Sequence, residues 1–132
     1  MTGIRIGMEE FRDRPDMAIV RLEGTIDLEG LALLNERVLP LLERGCVRLA
    51  FDCSALGYLN SPAVGSLVAY AKKARSLGGD CNLYGVSPEV MDILRIVGLP
   101  AILRVHATRE SALTELQEGR APGGPVPGGD GL

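Results

Sequence analysis

The sequence predicts an α/β fold in which a mixed β-sheet begins with an antiparallel hairpin, continues as β-α units and carries helices packed on it. Two observations lead to this class. Short apolar runs typical of strands alternate with longer segments whose apolar residues recur every three or four positions, as in helices. These segments follow the order β-β-α-β-α-β-α-β-α, and strands that alternate with helices favour a sheet covered by helices.

The chain opens with two predicted strands, at residues 4–11 and 17–23. Apolar and polar residues alternate weakly in the first, which indicates a strand with one solvated face. The polar segment between them, residues 12–16, contains proline and aspartates that favour a turn. We therefore expect the two strands to pair antiparallel as a hairpin.

A helix is predicted from Leu28 to about Arg44, with Asp27 as its N-cap. Because Gly30 and Pro40 are poor helix residues, we expect a kink or an early end near Leu39. The apolar stripe of this helix comprises Leu31, Leu34, Val38, Leu41 and Leu42.

The central part of the chain combines a strand, a turn and a helix. A strand is predicted at residues 47–52, parallel to the strand before the first helix. In the segment from Leu56 to Ser76, a turn presents Asn60 and Ser61 before the next helix. The pair Ser61 and Pro62 resembles an N-cap followed by a first helical residue, since proline needs no hydrogen-bond acceptor there.

The remaining elements repeat this pattern. A strand at residues 80–86 precedes a helix capped by Ser87, and a short strand at residues 102–106 precedes a helix that begins after Thr108 and runs to about Gln117. Residues 1–118 therefore form one predicted domain. Residues 119–132 are dense in glycine and proline and poor in apolar bulk, which predicts a disordered tail.

Composition excludes several classes of function. The net charge of −3 provides no basic field for nucleic acid, and aromatic residues make up only 4% of the chain. No apolar run reaches the length of a membrane span, so the protein is not expected to be membrane-embedded. The polar N-terminus is unlike a signal peptide, and we expect a cytoplasmic protein.

The residues that could carry chemistry are few and scattered. The cysteines at positions 46, 53 and 81 lack CxxC spacing, and His106 is the single histidine. We therefore predict buried structural thiols, with no metal or other cofactor and no enzymatic activity. One alternative remains open, a small-ligand site at the sheet edge formed by Asp27, Asp52 and Asn60.

Three segments, in this order and spacing, carry a resemblance to a known family. They are RLEGTIDLEGLALL, VRLAFDCSALGYLNSPAVGSLVAYAKKARSLGG and LYGVSPEVMDILRIVGLPAIL. Together they resemble the STAS domain, the fold of bacterial anti-sigma-factor antagonists, over residues 4–117. The resemblance implies a non-enzymatic module in which the loop and helix at residues 60–70 bind a kinase-type anti-sigma factor. In the family, that kinase phosphorylates a serine at the start of the helix and so ends binding.

The sequence departs from the family at the position of this switch. The family's loop typically has Asp-Ser-Ser-Gly, with the second serine as phosphoacceptor, whereas this chain has Asn60, Ser61, Pro62 and Ala63. Proline carries no hydroxyl, so the usual acceptor is missing. Ser61 matches the first serine of the motif and is the remaining candidate for phosphorylation.

The resemblance predicts a partner-binding surface around the start of this helix, for a kinase-type anti-sigma factor or a related regulatory protein. An alternative within the same fold is an accessory or scaffold subunit of a stress-signalling assembly or a transporter. The sequence leaves the oligomeric state open. The predicted partner-binding residues are Asp27, Leu28, Asn60, Ser61, Pro62, Ser66 and Tyr70.

Overall fold

A computed structural model describes residues 3–118 of the chain, and its elements follow the predicted order. The predicted tail at residues 119–132 lies outside the described residues. The strands are β1 (Ile4–Phe11), β2 (Arg14–Ile26), β3 (Arg48–Leu59), β4 (Asp80–Tyr84) and β5 (Arg104–His106). The helices are α1 (Leu28–Glu43), α2 (Ser61–Ser76), α3 (Pro88–Ile96) and α4 (Arg109–Gln117), with a short 3₁₀ helix at Leu99–Ala101.

The strands form one mixed sheet in the order β1-β2-β3-β4-β5. The hairpin of β1 and β2 is antiparallel, and every later pair of neighbours is parallel. Both the predicted hairpin and the predicted parallel crossover are therefore confirmed, and with them the α/β class.

Helices cover the two faces of the sheet unequally. The larger core lies between the sheet and α1, α2 and α3, with side chains such as Leu34, Phe51 and Leu67 fully buried. A smaller cluster, which includes Ile19 and Leu116, lies between α4 and the other face. Side chains alternate between the faces of a strand, so neighbouring residues of β2 and β3 contribute to different cores.

Two central strands are longer than predicted. β2 begins at Arg14 and β3 continues to Leu59, whereas the sequence pattern indicated a turn at residues 12–16 and a strand end at Asp52. The prediction failed because strand pairing extends both ends: Arg14 pairs with Phe11 of β1, and β3 pairs in parallel with β2 as far as Ile26 beside Leu59. Register shifts within this pairing interrupt the simple alternation that was used to place the ends.

The first helix runs without interruption through Pro40 to Glu43. The prediction of an early end near Leu39 was therefore wrong, because burial of residues such as Val38 and Leu42 against the sheet holds the helix together. In the described part of the chain, no helix is long and apolar enough to cross a membrane.

Candidate functional site

The starts of α1 and α2 lie side by side at the carboxyl edge of the sheet. Ile26 and Leu59 are register partners on β2 and β3, and each is followed directly by a helix cap. The Asn60 amide donates to the Ile26 carbonyl at 3.0 Å, which ties the second cap to the end of the neighbouring strand. The residues predicted from both helix starts are thereby brought to one edge of the sheet.

Side-chain caps fix where these helices begin. Asp27 Oδ1 accepts from the Gly30 amide at 2.9 Å, which confirms the predicted cap of α1. At α2 the prediction was wrong by one residue: Asn60 Oδ1 accepts from the Ala63 amide at 2.8 Å, and Ser61 is already the first helical residue. Asn60 has the extended backbone that a cap requires, with φ −82° and ψ 171°.

Because Asn60 is the cap of α2, the Ser61 hydroxyl has no capping role. Ser61 and Pro62 are both exposed, and within residues 3–118 the Ser61 hydroxyl makes no hydrogen bond. Leu28, at the start of α1, is 72% exposed, which is unusual for a large apolar residue. Asp27, Asn60 and Ser66 are half-buried.

Tyr70, which is also among the predicted partner-binding residues, does not lie on this exposed surface. Its side chain is only 2% exposed, and its ring stacks on Phe51 with centroids 6.1 Å apart. The hydroxyl hydrogen-bonds to Asn35 Oδ1 on α1, and burial raises the pKa of Tyr70 to about 12. The helical period places it with Ala63, Leu67 and Ala74 on the buried face of α2.

The alternative site formed by Asp27, Asp52 and Asn60 is not assembled. Asp52 lies well inside β3, far along the strand from Leu59, and its carboxylate is 3.6 Å from Arg21 Nε. It also accepts from the Ser54 amide at 3.0 Å. Burial alone would raise the pKa of Asp52, but the hydrogen bonds from Ser54 and Tyr84 and the charge of Arg21 lower it overall.

The cysteines are buried and free, as predicted. Burial raises the pKa of Cys46 to about 11 and that of Cys53 to about 12, so these thiols are poor nucleophiles near neutral pH. Within the described residues there is no group of three or more His, Cys, Asp or Glu side chains that would hold a metal ion.

His106 ties the last strand to the last helix. Its Nδ1 lies 2.6 Å from Ser111 Oγ, and its Nε2 lies 2.9 Å from Glu115 Oε1. The same Glu115 oxygen accepts from Asn82 Nδ2 on β4 at 2.8 Å, and its other oxygen pairs with Arg104. This sharing of Glu115 among three partners is typical of a structural network that locks α4 onto the sheet.

Sequence reasoning missed a groove between α1 and α2. Its upper part is lined by Asn35, Leu39, Ser66 and Ala69, among others. Leu39 was the signal that could have found it, because it falls outside the apolar stripe of the first helix and is 42% exposed.

Comparison with known proteins identifies the fold as that of a known family. The family model for the STAS domain matches residues 10–112. The chain belongs to the STAS domain family. This STAS protein is 28% identical over 94 residues to the anti-sigma-B factor antagonist of Bacillus subtilis, a match that covers 71% of this chain and 85% of that protein. It is 26% identical over 116 residues to the anti-sigma F factor antagonist of Paenibacillus polymyxa, covering 87% and 97%.

A solved structure shows the same fold as this STAS protein. It is the crystal structure of an anti-sigma factor antagonist from Mycobacterium paratuberculosis, with a TM-score of 0.74 and 22% identity. The superposition covers 86% of this chain and 94% of that chain. The resemblance in the three sequence segments is thereby confirmed at the level of family and fold.

Proposed function

We propose that this STAS protein is a non-enzymatic interaction module of the anti-sigma-factor-antagonist type. Its partner is a kinase-type anti-sigma factor, which it binds through the start of α2. The observation that carries this proposal is the exposed pair Ser61 and Pro62 at the head of a capped helix. The names of the curated relatives support the general role, since both are anti-sigma factor antagonists.

The proposed contact region, termed here the α2 surface, consists of Asp27, Leu28, Asn60, Ser61, Pro62 and Ser66. Its chemistry suits a protein partner. Leu28 offers exposed apolar area, and Pro62 adds a rigid apolar ring. Around them lie the Ser61 hydroxyl and the Asp27 carboxylate, which give a polar rim typical of transient interfaces.

The second part of the proposal concerns regulation. Pro62 stands where the family's motif has its phosphoacceptor serine, so phosphorylation at that position is not available to end binding. Ser61 is exposed at the first turn of α2, where a phosphate would be favoured by the helix dipole and would add nearly two negative charges. We infer that binding proceeds without the usual switch at position 62.

The test measures affinity for purified kinase-type anti-sigma factors from the source organism by isothermal titration calorimetry. Ser61→Asp places a charge on the α2 surface and is expected to weaken binding by about 1–3 kcal/mol. Ser76→Asp is the matched control, since it makes the same change at an exposed residue at the other end of α2. If Ser61→Asp binds with wild-type affinity, the interface lies elsewhere on the protein and the proposal is contradicted.

The scaffold alternative makes a different prediction for the same protein. Co-purification with a large assembly or a transporter, together with no measurable affinity for any of the purified anti-sigma factors, would replace the antagonist proposal by that alternative. A small-ligand function at the sheet edge has no such support, because Asp52 is paired with Arg21 away from the two helix caps.

A further inference from the structure

The groove between α1 and α2 consists of two adjoining concavities of about 350 and 390 Å³. Both are lined by Leu42, Glu43 and Lys73, so they form one continuous depression. The first concavity reaches up to Ser66, and the second reaches down to Leu77. We call this depression the α1–α2 groove.

The groove offers apolar area between two opposite charges. Leu39 on α1 and Leu77 after α2 are 42% and 48% exposed, so each leaves part of an apolar side chain open to solvent at the groove. Glu43 projects from α1 and Lys73 from α2, and neither forms an ion pair within residues 3–118. A partner segment would therefore meet an apolar floor with one free negative and one free positive charge beside it.

The groove also continues the surface already proposed for binding. Ser66 belongs both to the α2 surface and to the lining of the groove. From Ser66 to Leu77 the groove follows α2 for about 17 Å, the length of about three helical turns. A depression between two packed helices is a shape into which a third helix fits by inserting its own ridge of side chains.

We propose that the α1–α2 groove receives an amphipathic helix of the same anti-sigma factor that contacts the α2 surface, an inference that rests on the proposed function. The bound helix presents apolar residues at helical spacing to Leu39 and Leu77. A basic side chain on it faces Glu43, and an acidic one faces Lys73. The interface thus extends from the start of α2 along about three turns of that helix, which gives the partner a second point of recognition.

The test uses charge reversal with matched controls, in titrations against the purified kinase-type anti-sigma factor. Lys73→Glu is expected to weaken binding about fivefold to tenfold, and less so at high salt, because it repels the acidic side chain of the bound helix. Lys72→Glu is the control, since it makes the same change at the adjacent exposed residue, which does not line the groove. Glu43→Lys is expected to weaken binding in the same way, because it repels the basic side chain of the bound helix. Glu36→Lys is its control, since Glu36 is exposed and does not line the groove.

A steric variant tests the groove without reversing a charge. Ala69 is an exposed residue on the groove wall, and arginine is a good helix former, so Ala69→Arg fills the groove while keeping α2 intact. We expect about a tenfold loss of affinity or more. Circular dichroism and the midpoint of thermal unfolding verify that the variant is folded.

The outcomes separate the two proposals. If Ser61→Asp weakens binding but Lys73→Glu and Ala69→Arg bind as the controls do, the groove proposal is wrong. Binding through the α2 surface is then still supported. If Ser61→Asp has no effect, or if no anti-sigma factor binds, the proposed function is wrong and the groove proposal falls with it. Loss of affinity in Ser61→Asp, Lys73→Glu and Ala69→Arg, with unchanged controls, supports both.

Discussion

The Asn60 side chain accepts a hydrogen bond from the Ala63 amide at 2.8 Å, and this bond determines the first residue of α2. The neighbouring Ser61 hydroxyl is consequently exposed and free of any capping role among the described residues. Asn60 and Ser61 therefore differ in their structural roles. Asn60 stabilises the helix, and the Ser61 side chain stays exposed.

This division predicts different stabilities for two alanine variants. Asn60→Ala leaves the Ala63 amide without its acceptor, and we expect it to lower the free energy of unfolding by about 1 kcal/mol. Ser61→Ala removes no hydrogen bond and should change the stability by less than about 0.5 kcal/mol. Urea denaturation monitored by circular dichroism compares the two. A larger loss from Ser61→Ala would show that the serine is the cap.

The burial of Tyr70 predicts a structural cost when its ring is removed. Tyr70→Ala should lower the free energy of unfolding by about 3–5 kcal/mol, because the ring fills the space between Phe51 and α1. Tyr70→Phe keeps the ring and removes only the hydroxyl, with its hydrogen bonds to Asn35 and Ser66, and should cost about 1 kcal/mol. Tyr58→Ala is the matched control, since Tyr58 is about half exposed. Equal losses at the two tyrosines would contradict the burial of Tyr70.

Local signals were sufficient to predict the order of the elements and most of the helix starts. The caps at Asp27, Ser87 and Thr108 all accept the expected backbone hydrogen bond. The residues directly before and after each of these caps lack a side chain that could cap a helix. At α2 two candidates stand next to each other, and side-chain type alone does not distinguish Asn60 from Ser61.

Structural features that depend on contacts between distant parts of the chain could not be predicted from the sequence. The extension of β3 to Leu59 depends on its parallel partner β2, which lies on the other side of a whole helix in the chain. The position of Tyr70 depends on the exact phase of α2, because one step along the helix moves a side chain by about 100°. The α1–α2 groove depends on the packing of two helices, and Leu39, which lies outside the apolar stripe of α1, is a weak sign of it in the sequence.

The buried thiols predict a loss of stability in alkaline solution. Burial raises the pKa of Cys46 to about 11 and that of Cys53 to about 12. In the unfolded chain a thiol titrates near pH 8.5, so above that pH the unfolded state binds fewer protons than the folded state. The protonated thiols therefore contribute fully to the free energy of unfolding below about pH 8. This contribution is lost progressively as the pH rises toward 11.

Urea denaturation between pH 7 and 11 measures this effect. We expect the free energy of unfolding to fall steadily above about pH 9. A Cys46→Ala variant has one titrating group fewer, so its stability should fall less steeply with pH even if it is lower at pH 7. A stability that stays constant up to pH 11 would contradict the predicted protonation of the buried thiols.

The last prediction concerns the missing phosphoacceptor and rests on the proposed function. Pro62→Ser restores a hydroxyl at the second residue of α2, in an exposed position. After incubation with the kinase-type anti-sigma factor and ATP, we expect phosphate on Pro62→Ser and none on the wild-type chain, as measured by intact-protein mass spectrometry. The added phosphate brings nearly two negative charges to the α2 surface, so phosphorylated Pro62→Ser should bind much more weakly than its unmodified form.

Pro62→Ala separates the loss of the proline ring from the gain of the hydroxyl. This variant should remain unphosphorylated and keep an affinity close to that of unmodified Pro62→Ser, because both lack the ring and neither carries a charge. Stoichiometric phosphate on Ser61 of the wild-type chain would show that the switch has moved by one residue. Binding would then be regulated after all, since a phosphate at the first residue of α2 lies on the same exposed helix start.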